Sequence, residues 1–308
     1  MAAFLAPLVF VTACSPTREL RHAGNFGSST SEETRTVEAE GRTWEYIFAR
    51  PQGQAKGLII AFHGAGGSGK QFAVDSRWVE TATSAGLAIA LPTGVPILPN
   101  REPGFQSNPN VWNSGEFGER GPRQKIDDTK ALALILAACD QELGKLPVFL
   151  AGHSNGAGMT YMMASRWKDR VGGIGMMAGD LKCDLGEKPS KPIPSLIYAG
   201  ENDPLLLWEG GVEIMPWGNL KRHTEPVLTI VGNWAAWNGL AQTAAPQEGD
   251  GVVTYDYGRN VKLIMIKGQG HVWPGGRSGT LFGRNSGKDS GKVDATKEIV
   301  KFFGSQLK

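Results

Sequence analysis

Short apolar segments alternate along this chain with longer segments of helical periodicity, and this alternation limits the folds available to it. The apolar segments include GLIIAFHG, LAIALPTG, LPVFLAG and VKLIMIKGQGH. Such runs are typical of strands buried on both faces of a parallel sheet, and the helical segments between them indicate that helices cover both faces. We therefore predict an α/β fold with a mostly parallel central sheet. The alternating stretch TRTVEAEGRTWEYIFARP predicts a hairpin before it.

The N-terminal segment Ala2–Ala13 is apolar but too short to cross a bilayer as a helix, and it matches the core of a secretory signal. It runs into Cys14 through Val-Thr-Ala, which resembles a bacterial lipobox. We expect an exported protein, periplasmic or extracellular, whose only membrane contact is a lipid anchor on Cys14. An untagged apolar N-terminus is the alternative. No internal repeat is visible, so the predicted division is a signal peptide at 1–13, a flexible tether at 14–35 and a single catalytic domain at 36–308.

Composition limits the partners and cofactors. The formal net charge is +2, 20% of the residues are charged, and no basic block stands out, so nucleic-acid binding has no support. No zinc motif is present, and the glycine-rich segment 64–70 lacks the spacing of a phosphate-binding loop. Cys139 and Cys183 lack the spacing of a metal site, although they could pair in an exported protein. We expect no metal and no cofactor.

The segment AGHSNGAGM places Ser154 between two glycines, at a predicted junction of strand and helix. In that context, G-x-S-x-G is typical of a nucleophile elbow. The sharp turn needs small residues on both sides of the serine. It leaves the hydroxyl exposed beside a helix N-terminus, whose dipole favours developing negative charge. Ser154 is the candidate nucleophile, and a glycine-rich turn without catalytic role is the alternative.

A serine nucleophile needs a general base, and the chain has five histidines. His22 lies in the predicted tether, His63 precedes glycines in a loop at a strand end, and His223 lies in a polar segment before a helix. His153 lies inside the elbow, where its side chain should point away from the serine. His271 follows the last predicted strand, and the resulting order of serine, acid and histidine is the one expected of α/β-hydrolases. His271 is the candidate base, against the alternative of a loop histidine with its hydrogen bonds satisfied.

The acid of such a triad should follow a strand that lies between the nucleophile and the base in the sequence. Asp203 in YAGENDPLL meets this condition, and Glu201 is the runner-up. Asp180 and Asp184 follow an earlier strand and are less well placed. The role of the acid would be to hold the imidazole in the correct tautomer and to stabilise the imidazolium.

An oxyanion formed at Ser154 needs two hydrogen-bond donors. The backbone N–H of Asn155, directly after the nucleophile, is the first candidate. The second should come from FHGAGGSG, the loop after the first central strand, where glycines allow close approach of the backbone. We predict the N–H of Ala65, with Gly64 or Gly66 as neighbouring alternatives.

These stretches together resemble the extracellular poly(3-hydroxybutyrate) depolymerase and feruloyl esterase-like group of α/β-hydrolases. The resemblance covers most of the chain, from about Trp44 to Phe303. The matching segments are HGAGGS, VWNSG, IDDTKAL, GHSNGAGM, AGENDP and GHVWPGG. Two departures are visible. Family members often have cysteines where this chain has Ala65 and Val111, and no polymer-binding module is appended.

The resemblance implies hydrolysis of esters by a serine, without metal or cofactor. It also implies that Trp112 and Trp273 lie near the active site, and with His63 they are the candidate substrate-binding residues. The family's paired acids correspond to Asp127 and Asp128, which we interpret as structural, capping a helix N-terminus.

The leading hypothesis is a secreted or lipid-anchored serine esterase. The ester would be a polyhydroxyalkanoate oligomer or a feruloyl or acetyl ester of a plant polysaccharide, small or polymeric. Trp208 and Trp217 are further candidates for an apolar lining. One alternative is a serine peptidase of the same fold, although no group for binding a peptide terminus is identifiable. The other is a catalytically inactive lipoprotein that binds a ligand in the same cleft.

Overall fold

The computed structural model of the protein describes residues 32–116, 122–215, 221–241, 245–277 and 286–307. The strands are β1 (Glu32–Ala39), β2 (Arg42–Ala49), β3 (Leu58–Phe62), β4 (Ala88–Pro92), β5 (Val95–Pro96), β6 (Asn110–Val111), β7 (Val148–His153), β8 (Val171–Met177), β9 (Ser195–Gly200), β10 (Gly211–Ile214), β11 (Lys221–Thr224), β12 (Gln247–Gly249), β13 (Val252–Gly258) and β14 (Val261–Ile266). The helices are α1 (Gly69–Asp75), α2 (Trp78–Ser84), α3 (Asp128–Leu143), α4 (Asn155–Arg166), α5 (Val227–Trp237) and α6 (Ala295–Gln306).

Ten of the strands form one sheet, in the order β1-β2-β4-β3-β7-β8-β9-β14-β13-β12. The strands from β4 to β14 in this order run parallel, and antiparallel strands extend the sheet at both edges. Every residue of β3, β4, β7 and β9 is buried, as expected for strands covered on both faces. The predicted α/β fold with a mostly parallel sheet is confirmed.

Helices cover both faces of this sheet. Phe149 of β7 stacks on Phe303 of α6, with ring centroids 4.7 Å apart. Gly152 of the same strand faces Gly156 and Thr160 of α4. Side chains alternate along a strand, so positions 149 and 152 point to opposite faces. The two helices therefore lie on opposite sides of β7, as the sequence predicts.

The N-terminal hairpin forms where it is predicted. Glu40 and Gly41 both have positive φ, 54° and 70°, as a two-residue hairpin turn requires. However, β1 begins at Glu32, so the folded domain starts before the predicted boundary at residue 36. The early part of the strand is held by its pairing with β2 and by Arg35, whose guanidinium lies 4.0 Å from the ring of Phe48. The predicted signal peptide, Cys14, His22 and the tether up to residue 31 lie outside the described residues.

The segment VDSRWVETATSAG has continuous helical spacing up to Gly86, but two short helices, α1 and α2, form in this region. Arg77 separates them because it adopts a left-handed conformation, with φ 54°. Its guanidinium donates hydrogen bonds to the Gly275 carbonyl at 2.7 Å and to Asp294 at 2.9 Å. The residue at which the helical pattern is interrupted, Arg77, is thus also the one that binds the C-terminal part of the chain.

Cys139 and Cys183 are both free thiols, so the possible disulfide between them is not formed. Cys139 is buried in α3, and burial raises its pKa to about 12. In the parts of the chain that the structure describes, no helix has the length and apolar character needed to span a membrane.

Candidate active site

The candidate catalytic residues follow the carboxyl ends of three strands of the parallel sheet. Ser154 directly follows β7, Asp203 follows β9 after two residues, and His271 follows β14 after four. Because parallel strands have their carboxyl ends at the same edge, these three side chains meet although they are distant in sequence.

The turn at Ser154 is sharp. The residue has φ 54° and ψ −123°, an unusual conformation for a residue other than glycine, and its N–H donates to the Met177 carbonyl at 2.9 Å. A β-carbon on Gly152 would collide with the Gly156 carbonyl, and one on Gly156 would collide with the carbonyl of Phe62. The glycines of the motif are therefore required by the close approach of α4 to the strand ends.

We expect Gly156→Ala to lower the free energy of unfolding by about 1–3 kcal/mol, because the new methyl group has no space and the backbone must shift. Gly232→Ala is the matched control. Gly232 is also a helical glycine, in α5, but a β-carbon there meets open space, so alanine should leave stability unchanged or raise it. Urea denaturation of both variants measures the difference. Equal stability of the two variants would show that the contact around Gly156 relaxes freely.

Ser154, His271 and Asp203 form a continuous hydrogen-bonded chain. His271 Nε2 lies 2.8 Å from Ser154 Oγ, and His271 Nδ1 lies 2.8 Å from Asp203 Oδ2 and 2.9 Å from Oδ1. His271 and Asp203 are buried, and Ser154 is partly exposed. An ionised carboxylate can only accept hydrogen bonds, so the proton resides on Nδ1 and leaves Nε2 to accept the serine hydroxyl.

The turn after β9 holds Asp203 in place. Its Oδ1 accepts the N–H groups of Leu205 at 2.8 Å and Leu206 at 2.9 Å. Glu201, the alternative acid, is exposed and accepts the Gly268 N–H at 2.8 Å instead of approaching His271. Of the two candidates, Asp203 is therefore the one in contact with the imidazole.

The two predicted oxyanion donors belong to different segments, the start of α4 and the loop after β3. Asn155 is the first residue of α4, so its N–H is not used within the helix. In the loop after β3, the Gly66 N–H donates to Asn110 and the Gly67 N–H donates to Gly64. Gly66, one of the alternatives to Ala65, is thus already engaged. Among the described residues, no backbone acceptor is found for the Ala65 N–H, and Ala65 stays the predicted second donor.

The long loop between β4 and α3 is anchored on the side chain of Asn155. Its Oδ1 accepts the Trp112 N–H at 2.6 Å, and its Nδ2 donates to the Trp112 carbonyl at 3.1 Å. The same Nδ2 lies 2.9 Å from Ser114 Oγ and 3.0 Å from Glu116 Oε2. The side chain of Asn155 therefore fixes the loop beside the candidate site, a role that the sequence does not reveal.

His63 differs from its predicted role in substrate binding. It is 1% exposed, its Nδ1 lies 2.7 Å from the Gly64 carbonyl, and its Nε2 accepts the Gly94 N–H at 2.9 Å. Burial lowers the pKa of His63 to about 4, so the ring is neutral. Both ring nitrogens are thus occupied by the backbone, and His63 joins two loops instead of facing a ligand.

The two predicted substrate-binding tryptophans are also buried. Trp112 is 0% exposed, and its Nε1 donates to the His63 carbonyl at 2.9 Å. Trp273 is 7% exposed, and its Nε1 donates to Thr296 Oγ1 at 2.8 Å. Both lie near the site, as the family resemblance implies, but their side chains are buried and form hydrogen bonds to neighbouring segments. Trp217 lies outside the described residues.

His153 packs behind the candidate base. Its ring centroid is 5.2 Å from that of His271 and 5.9 Å from that of Trp273. Burial, and secondarily the charge of His271, hold the pKa of His153 well below its ordinary value. His153 is therefore a neutral ring against which His271 rests.

The paired acids before α3 have structural roles. Asp127 is the N-cap of α3, and its Oδ1 accepts the Thr129 N–H at 3.0 Å. Asp128 is buried, pairs with Arg123 and accepts the Asn113 N–H at 2.7 Å. The predicted cap is confirmed for Asp127, whereas Asp128 ties the long loop to the helix.

Glu116 is a buried carboxyl that sequence analysis does not single out. Burial raises its pKa to about 7, Arg222 and His271 act in the opposite direction, and Asp180 adds to the rise. Among the described residues, no group of three or more His, Cys, Asp or Glu side chains could hold a metal ion.

The raised pKa of Glu116 predicts a dependence of stability on pH. Between its ordinary pKa of 4.5 and about 7, the folded protein holds a proton that the unfolded chain has lost, so stability falls as pH rises through this range. Glu116→Gln removes this ionisation. We expect the variant to gain stability relative to wild type between pH 5 and 8, by about 1.4 kcal/mol for each pKa unit. If the free energies of unfolding of the two proteins changed with pH in the same way, this expectation would be wrong.

Comparison with known proteins identifies two sequence relatives, while no protein-family model matches the chain. NocK from Nocardia uniformis subsp. tsuyamanensis, which carries the name of an esterase, is 25% identical over 79% of this chain and 74% of its own length. Feruloyl esterase B from Piromyces equi is 24% identical over 74% of this chain. The match covers only 42% of that enzyme's length.

Solved structures share the fold. An acetyl xylan esterase from Aspergillus awamori superposes with a TM-score of 0.57 at 15% identity, covering 78% of this chain and 94% of that one. An S-formylglutathione hydrolase from Agrobacterium tumefaciens gives a TM-score of 0.56 at 12% identity, covering 92% of this chain and 98% of that one. The sheet and helices of this chain thus form the α/β-hydrolase fold.

Proposed function

We propose that this chain is an esterase of the α/β-hydrolase fold, which cleaves carboxylic esters through Ser154, His271 and Asp203. The observation that carries the proposal is the hydrogen-bonded chain from Ser154 Oγ through both nitrogens of His271 to the Asp203 carboxylate. A serine with an acceptor imidazole at 2.8 Å has the general base that its attack requires.

The reaction proceeds in two halves. His271 Nε2 takes the hydroxyl proton as Ser154 Oγ attacks the ester carbonyl, and the N–H groups of Asn155 and Ala65 bind the oxyanion. His271 then gives the proton to the leaving alcohol, and an acyl-enzyme remains. In the second half, His271 activates water, which hydrolyses the acyl-enzyme and restores the serine. Asp203 stabilises the imidazolium in both halves and is not itself protonated.

For the substrate, we propose polyhydroxyalkanoate oligomers or feruloyl or acetyl esters of plant polysaccharide. The sequence relationship to a feruloyl esterase supports the second class, within the part of that enzyme which this chain matches. We further propose that the protein is exported, either secreted or held by a lipid anchor at Cys14. The N-terminal sequence pattern supports the proposal of export and of a lipid anchor.

Labelling with an organophosphate tests the proposed nucleophile. We expect one label per chain, on Ser154, and loss of activity in proportion to labelling. A protein that is not labelled would have no activated serine, and the inactive binding protein would then be the better interpretation.

A panel of substrates tests the proposed class. We expect turnover of p-nitrophenyl acetate and butyrate and no cleavage of peptide anilides. Methyl ferulate, acetylated xylan and 3-hydroxybutyrate oligomers then separate the proposed acyl groups. Cleavage of the anilides without cleavage of the esters would make the protein a peptidase.

A further inference from the structure

A buried guanidinium lies beside the candidate site and takes no part in the reaction described above. Arg222 of β11 donates from Nη2 to the Leu205 carbonyl at 2.6 Å. Its Nε and Nη2 donate to Glu213 Oε2 at 2.9 and 2.7 Å. Leu205 is the residue whose N–H binds Asp203, so Arg222 holds the turn that holds the catalytic acid.

Glu213 fixes the same turn at a second point. Its Oε1 accepts the Leu207 N–H at 3.2 Å and the Thr224 hydroxyl at 2.8 Å. The side chain of Glu213 is completely buried, and that of Arg222 is 14% exposed. The hairpin of β10 and β11 therefore meets the Asp203 turn through a charged pair that is largely withdrawn from water.

A third nitrogen of the guanidinium group approaches Glu116. Arg222 Nη1 lies 3.7 Å from Glu116 Oε2, and this same oxygen accepts the Asn155 Nδ2 hydrogen bond at 3.0 Å. Asn155 supplies the N–H next to Ser154. A short path of direct contacts thus runs from the Asp203 turn through Arg222 and Glu116 to the oxyanion side of the elbow.

We propose that Arg222 and Glu116 are positioning residues, which hold the turn carrying Asp203 in register with the Asn155 side chain. The inference rests on the proposed function. It adds that Arg222 and Glu116 fix two parts of the site to each other. One part is the turn with Asp203, which orients the base, and the other is Asn155, the predicted oxyanion donor. Glu213 alone would satisfy the charge of Arg222. The second carboxylate, Glu116, is the one that reaches the residue after the nucleophile.

Replacing Arg222 tests the proposal, with Arg170 as a matched control. Arg170 also donates two hydrogen bonds to one carboxylate, Asp140, and one to a backbone carbonyl, that of Leu146. However, Leu146 lies at the amino end of β7, whereas the candidate site lies at the carboxyl ends of the strands. Arg170→Met therefore removes an equivalent set of contacts away from the site.

We expect Arg222→Met to lower kcat for p-nitrophenyl acetate by about 10- to 100-fold with little change in KM, because misplacement of the catalytic groups acts mainly on the transition state. Arg170→Met should lower the melting temperature but leave kcat of the folded enzyme near wild type. Arg222→Lys, which retains the charge but cannot bridge all three acceptors, should show the same fall in kcat and decides the question if Arg222→Met does not fold.

Glu116 provides the second arm. Glu116→Leu removes one of the acceptors of Asn155 Nδ2 and the contact with Arg222, and it should lower kcat about as much as Arg222→Met. Glu116→Gln offers an amide oxygen in its place and should lose less activity than Glu116→Leu. A wild-type enzyme that turns over ester while the variants at both positions change only the melting temperature would overturn the positioning role and leave the proposed function intact. A wild-type protein with neither turnover nor labelling of Ser154 would instead overturn the proposed function.

Discussion

Ser154→Ala is expected to lower kcat for p-nitrophenyl acetate on the order of 10⁶-fold, the cost of removing the nucleophile of a triad that acts as a unit. The remaining groups can still bind ester and polarise its carbonyl, but no acyl-enzyme can form. The fold should persist, because the side-chain hydrogen bond that Ser154 makes within the described residues is the one to His271. Steady-state kinetics and circular dichroism of the same preparation measure both expectations.

Ser165→Ala is the control for this experiment. Ser165 lies in the same helix, α4, is buried, and donates its hydroxyl to the Met162 carbonyl at 2.8 Å. We expect this variant to keep its activity and its reaction with an organophosphate. A Ser154→Ala protein that retains more than a few per cent of activity and is still labelled would move the nucleophile to another residue.

The sequence predicts the triad contacts well because each residue has a local signature. Ser154 stands between glycines that a close helix demands, and Asp203 and His271 each follow an apolar run that forms a strand of the parallel sheet. Parallel strands then bring their carboxyl ends together whatever the details of the loops. The sequence could thus predict which side chains meet at this edge.

The residues around the triad could not be predicted in the same way, because their exposure is decided by tertiary packing. Trp112 is conspicuous in the sequence and suits an apolar cleft, yet the loop that carries it folds back onto Asn155 and buries it. His63 sits at a strand end like a catalytic residue, but two backbone groups occupy its ring. Neither arrangement leaves a periodic signal in the sequence.

An inverted hydrophobic pattern hides Arg222 from sequence analysis. In β10 the apolar residues Val212 and Ile214 are exposed at 59% and 63%, while Glu213 between them is buried against Arg222. A hydrophobic pattern would place the opposite face of this strand inward. Besides Glu213, Arg222 contacts the Leu205 carbonyl and Glu116, and both of these partners come from distant segments.

Asp203→Asn is expected to lower kcat on the order of 10⁴-fold, the loss found when the acid of such a triad becomes an amide. The local geometry explains why. The substituted side chain would keep its amide oxygen on the N–H groups of Leu205 and Leu206, so its NH₂ group would replace the carboxylate oxygen that lies 2.8 Å from His271 Nδ1. An amide that donates to Nδ1 forces the imidazole proton onto Nε2. A protonated Nε2 can no longer accept the proton of Ser154.

Glu201→Gln distinguishes this account from the alternative assignment of the acid. Glu201 lies two residues earlier in the same segment, but it is exposed and binds only the Gly268 N–H in the described part of the chain. We expect this variant to stay within about twofold of wild type, since the amide oxygen of glutamine can accept the same bond. The pH dependence of kcat/KM should also be unchanged, because the charge removed does not contact His271. An inactive Glu201→Gln enzyme beside an active Asp203→Asn enzyme would reverse the assignment, and the turn after β9 would then have to rearrange when ester binds.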